Sequence, residues 1–141
     1  MDANAEAQAF GTLTYASTKR TVDVELCGTL LGVLLDEAES IAEKAKDNVF
    51  MVGSSLTKET ISETLWDAVV IAAMDYVITN SEYASVLEHY QNYLAGANEM
   101  AHCYVYGVEE ETRVQGIGAD SADTAKYIMM LSEIMSHKQE E

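Results

Sequence analysis

Cys27, Leu31, Leu34, Ala38, Ile41 and Ala45 recur every three or four residues, a period that one face of an α-helix satisfies and that a strand, with its period of two, does not. This spacing predicts a helix over 26–46. Helical periodicity then returns in three further segments. Thr57 is a candidate N-cap, with Leu56 and Ile61 placed as a hydrophobic staple and Glu59 in the first turn, where the helix dipole favours negative charge. Leu65, Ala68, Val69, Ala72 and Tyr76 continue that stripe, and from Ala68 to Ile78 the segment is apolar on nearly every side. A helix of that kind belongs in the centre of a core.

Thr79-Asn80-Ser81 is a brief interruption, after which Tyr83, Leu87, Tyr90, Leu94, Ala97, Ala101 and Tyr104 repeat at near-heptad spacing. So short a turn makes the flanking helices antiparallel neighbours or one bent rod. Asp120 or Ser121 caps a last helix, with Ala125, Ile128, Leu131 and Met135 as the expected inward stripe and Lys138 near the negative end of its dipole.

The remaining segments are less regular. Phe10–Tyr15 and Thr21–Leu26 alternate in part between apolar and polar residues around Ala16–Arg20, the pattern of a short N-terminal β-hairpin. The competing reading starts the first long helix at Val22. Asn48–Val52 reads as a short strand or a connection, and Gly107–Ala119 as an exposed loop with a strand around Arg113–Gln115. Nothing marks a boundary: the chain has no proline, no repeat of fixed period and no low-complexity tract. At 141 residues it is long enough to bury about 68–70% of its unfolded surface in one core, and halves of it would be too small to fold alone. The expectation is a mainly α, four-helix-type bundle forming a single domain over 1–141.

Charge is the property furthest from ordinary. Twenty-four acidic residues against eight basic ones give a net charge of −16, which argues against direct binding to nucleic acid or to an anionic membrane surface, since both require clustered Lys or Arg. No Lys or Arg occurs between Lys58 and Arg113, whereas Glu59, Glu63, Asp67, Asp75, Glu82, Glu88, Glu99, Glu109, Glu110 and Glu111 fall within that span. A partner that meets this surface is a basic one. The longest apolar run, Ala68–Ile78, is broken by Asp75 and falls well short of the roughly 20 residues that cross a bilayer, so no membrane span is expected. The N-terminus carries acid where an export signal carries base, and two cysteines are too few for a disulfide framework. A reduced, cytoplasmic setting is the expectation.

No constellation amounts to a chemical signature. Glu99 and His102 have the Glu-x-x-His spacing of di-iron carboxylate bundles, but such sites need a second pair, and Glu133 with His137 is the wrong spacing for it. His102 and Cys103 are adjacent, so on a helix they point about 100° apart. Gly116-Ile117-Gly118 before a helix has Ser121 in the third glycine position and Asp120 where a phosphate would sit, which spoils it as a phosphate loop. Asp75 within an apolar run is either a tuned acid or a carboxylate that is satisfied by a tyrosine hydroxyl or a helix N-terminus, or that simply faces solvent. No catalytic residue, metal or cofactor is therefore expected.

The functional expectation is a non-enzymatic acidic binding protein that displays Glu59, Glu63, Asp67, Glu109, Glu110 and Glu111 to a basic protein surface. Its concrete form is an inhibitor that imitates nucleic acid toward a nucleic-acid-binding protein, of the phage or mobile-element anti-defence type. The rival reading is a self-assembling structural protein, a homodimer in its simplest form, that shares the Tyr83–Tyr104 stripe between copies. A metal-binding helical bundle comes third.

Overall fold

Helical spacing prevails over most of the described chain. The computed structural model describes residues 3–53, 61–105, 117–118 and 120–138, and these form five α-helices: α1 (Ala3–Ala16), α2 (Val24–Lys46), α3 (Ile61–Ile78), α4 (Ser81–Ala95) and α5 (Ser121–Lys138). Among the described residues there is no strand, only isolated bridges joining Val105 to Ile117 and Ile117 to Asp120. No helix of the described residues is long and apolar enough to cross a membrane.

The bundle is built around α3, whose buried residues run almost without a break from Thr64 to Asp75. An all-round apolar helix must be covered on every side, and α2, α4 and α5 supply the cover, α5 most extensively. Leu34, Ala38, Ile41 and Ala45 of α2 are buried, so the stripe that announced this helix is the one it packs with. Asp23 caps it by accepting the Leu26 N–H at 2.9 Å, and Lys44 and Lys46 lie in the last turn, where the dipole favours positive charge. Thr57 and Glu59, the expected start of the central helix, lie outside the described residues, as does the strand expected at 113–115.

Two expectations about helix number change together. The hairpin expected over residues 10–26 is instead helix α1 followed by a connection, so the bundle has a fifth helix. The polar members of that alternation are absorbed by the helix: the Thr12 and Thr14 hydroxyls donate to the Gln8 and Phe10 carbonyls, four residues back, at 2.9 and 2.8 Å. Ala9 and Thr12 form a buried stripe at helical spacing, and the Asp23 N–H donates to the Tyr15 hydroxyl at 2.8 Å, which ties α1 to the start of α2.

The stripe expected to run to Tyr104 ends at Gly96, whose φ of +129° closes α4 in a region of backbone space that glycine reaches most easily. Buried Asn98 then organises the return of the chain. Its side-chain nitrogen donates to the Tyr93 and His102 carbonyls at 2.7 and 2.8 Å, while its oxygen accepts from the Met100 and His102 N–H groups, both at 3.1 Å. Tyr83, Tyr90, Tyr93 and Tyr104 are all at most 4% exposed, so these rings belong to the chain's own core.

The register of α5 also departs from expectation. Lys126, Met130 and Ile134 face inward, whereas Ile128 and Met135 are about 60% exposed. The rotation follows from polar contacts between elements: the Lys126 ammonium donates to the Ser62 hydroxyl at 2.9 Å, and His137 reaches Asp75. Asp120 provides the cap, accepting from the Ala122 and Asp123 N–H groups at 2.9 and 3.0 Å.

Candidate functional site

Of the six carboxylates expected to form one display, Glu63 and Asp67 fall within the described residues. Glu59, Glu109, Glu110 and Glu111 lie outside them. Glu63 is exposed in the first turn of α3. Asp67, one turn on, is half-buried and accepts a hydrogen bond from the Tyr90 hydroxyl at 3.3 Å. That hydroxyl in turn accepts the Gly53 N–H at 2.8 Å. Burial, and then the negative charge of Asp67, push the Tyr90 hydroxyl above its ordinary value, which keeps it protonated as a donor. Asp67 is thus committed to the interior, and the structure does not bring it together with Glu63 as a pair of free surface anions.

A different acidic face is complete among the described residues. Asp36, Glu37, Glu39, Glu43 and Asp47 of α2 and its C-cap are all exposed. Asp36, Glu39, Glu43 and Asp47 follow one another at intervals of three or four residues, and so lie along one side of the helix about 5.4 Å apart per turn. Lys46 is clamped between Glu43 and Glu82 at 2.6 and 2.7 Å, and the hydrogen bonds it donates to Glu43 and then to Glu82 raise its pKa above the usual lysine value. Glu39, Glu43, Glu82, Asn80 and Tyr83 line a cleft of about 340 Å³. Burial, followed by the charges of Glu39 and Glu82, raises the Tyr83 hydroxyl pKa. Sequence reasoning passed over this face because it searched for a base-free span, and Lys44 and Lys46 interrupt the acids of α2. Helical projection of residues 36–47 was the signal that could have found it.

On the opposite side of α2, a groove of about 1110 Å³ opens between α1, α2, α3 and α5, with Leu13, Leu31, Ala72, Val77, Ile128 and Met129 in its lining. Tyr76 lies on its rim, 70% exposed. Glu133 closes part of the α5 wall.

Next to this wall three ionisable side chains meet. Asp75 is 1% exposed. One of its carboxylate oxygens accepts the Asn80 N–H at 2.8 Å, the group that opens α4, and the other lies in hydrogen-bonding contact with His137 Nε2. Glu133, one turn before His137 on α5, brings Oε1 to within 3.9 Å of the same nitrogen. Donor atoms of the three all lie within 4.8 Å of one another. The anticipated role of Asp75 at a helix N-terminus is therefore met, with an imidazole as a second partner that the sequence did not indicate.

The Glu99–His102 pair does not form a corresponding site. Both residues lie beyond the end of α4, so their spacing never becomes a shared helix face, and Glu99 accepts the Tyr93 hydroxyl at 2.7 Å. His102 packs edge-on against Tyr104, ring centroids 4.7 Å apart. Cys27 and Cys103 form no disulfide. No known protein family, curated protein or solved structure matches the chain.

Proposed function

We propose that the chain is a non-enzymatic binding protein that presents carboxylates to a basic protein surface, and that its partner is a nucleic-acid-binding protein whose anion-binding cleft it occupies. The observation that carries this reading is the acidic side of α2, where Asp36, Glu39, Glu43 and Asp47 stand one turn apart on a rigid helix. Repeated anions fixed on one helix are suited to a groove lined by Arg and Lys, because such a groove already binds evenly spaced phosphates. The net charge of −16 speeds encounter with a cationic partner.

Capture from host lysate at low salt tests the proposal. A basic nucleic-acid-binding protein should be retained, should elute as salt rises from about 50 to 200 mM, and should lose its grip on nucleic acid when this chain is added. Retention that survives both the salt and the triple change Glu39→Gln, Glu43→Gln, Asp47→Asn would rule the α2 face out.

One observation supports a second reading, self-association through the apolar groove: Tyr76 and Ile128 leave large apolar surface in water beside it. Sedimentation at several salt concentrations separates the two, since an apolar dimer persists in high salt and an electrostatic complex dissociates.

A further inference from the structure

We propose that Asp75, Glu133 and His137 form a binding site for one divalent transition-metal ion, with zinc the ion best suited to the donors. This inference is independent of the acidic face of α2 and of any partner bound there.

The donor set is one imidazole nitrogen and two carboxylates. Zinc takes His nitrogen and Asp or Glu oxygen at about 2.0–2.2 Å, commonly from three side chains with water in the fourth position. Purely oxygen-seeking ions such as Mg²⁺ have no use for the imidazole. Around a tetrahedral ion those bond lengths put neighbouring donors roughly 3.3–3.5 Å apart. The 3.9 Å between Glu133 and His137 closes by torsion of the long Glu133 side chain, and the ion takes over the position now filled by the Asp75–His137 hydrogen bond.

The surroundings supply what such a site requires. Glu133 and His137 are four residues apart on α5, the spacing at which two ligands project from one helix face to a single ion. Asp75 comes from α3, and its second oxygen is held by the Asn80 N–H, so its orientation is fixed by a contact that leaves the other oxygen to the metal. The site is closed on the Asp75 side, where the side chain has no exposure, while His137 and Glu133 retain 27% and 15%. Because Glu133 also lines the groove, the groove is the route of entry. An imidazole carries one positive charge at most, and it faces two carboxylates; a dication engages both at once. Its binding would join α3, the start of α4 and the last turn of α5 at one point.

Chelator-treated protein titrated with zinc chloride by calorimetry should bind one ion per chain and melt at a higher temperature when loaded. Cobalt(II) in place of zinc should give the visible absorption of a four-coordinate ion. Glu133→Gln should weaken binding by about 10- to 100-fold, and His137→Ala should abolish it, while Glu39→Gln/Glu43→Gln binds zinc as the wild type does. Should His137→Ala fail to fold, Glu133→Gln and the cobalt spectrum of the wild type decide the matter. Absence of saturable one-to-one binding in the wild type, or equal affinity in the wild type and Glu133→Gln, would overturn the proposal.

Discussion

Lys46 and Asp75 each meet partners of opposite character, one on the outer side of α2 and the other inside the joint of α3 and α5, and their surroundings make the two contacts unequal. Lys46 touches two carboxylates at 2.6 and 2.7 Å, but all three side chains are at least 46% exposed, so water screens the attraction and competes for every charge. Asp75 has no exposed side-chain surface, and each of its oxygens is bound by a specific donor. A short distance at the surface therefore signals less than a complete set of partners in the interior. The outer face is free to serve recognition, since its carboxylates are not needed to hold the fold, whereas the inner cluster fixes how three helices meet.

The largest test of this contrast is Asp75→Ala. It removes the partner of His137 and leaves the Asn80 N–H without its acceptor, and breaking a buried pair in this way costs about 3–5 kcal/mol. Urea denaturation should show the free energy of unfolding falling by that amount, with little dependence on added salt. A loss no larger than that from an exposed pair would mean that Asp75 does not join α3 to α5.

Tyr90→Phe comes next. It deletes one oxygen that serves both Gly53 and Asp67, and an unsatisfied buried group costs about 1–3 kcal/mol. The same change should return the Asp67 carboxylate to water, which NMR titration of its side chain would detect. It thus moves one acid from the interior class to the surface class, while the apolar packing of the ring is kept.

These contacts also explain which parts of the fold were readable from the sequence. The stripe of α2 and the cap at Asp120 are local, depending on residues within a few positions of one another, and both were legible. The register of α5 was not, because Lys126 and His137 count as polar in any window of neighbours, and their partners Ser62 and Asp75 are 64 and 62 residues away. The error at α1 was local: Phe10–Tyr15 alternates between apolar and polar residues as a strand does, but its threonine hydroxyls turn back onto helix carbonyls. For the candidate sites, the negative charge was evident from composition, and the face of α2 that carries it was within reach of a helical projection of residues 36–47. The Asp75–Glu133–His137 cluster depends wholly on tertiary pairing.

Lys46→Met should change the stability far less than Asp75→Ala does, and what change there is should fade as salt is added. If instead the midpoint moves as much as for Asp75→Ala, Lys46 is holding α2 to α4, and the distinction between the two regions fails.

The smallest expected effect on folding is also the one that bears most on function. Asp36, Glu39, Glu43 and Asp47 repel one another along α2, and like charges one turn apart cost a helix about 0.2–0.5 kcal/mol per pair. Glu39→Gln should accordingly raise the melting temperature slightly and weaken capture of a basic partner at low salt. Stability and binding then move in opposite directions, which is the behaviour of a surface charged for recognition. Carboxylates that only hydrate the helix would give the same small gain in stability with capture unchanged, so thermal melts and low-salt retention measured on the same variant separate the two roles.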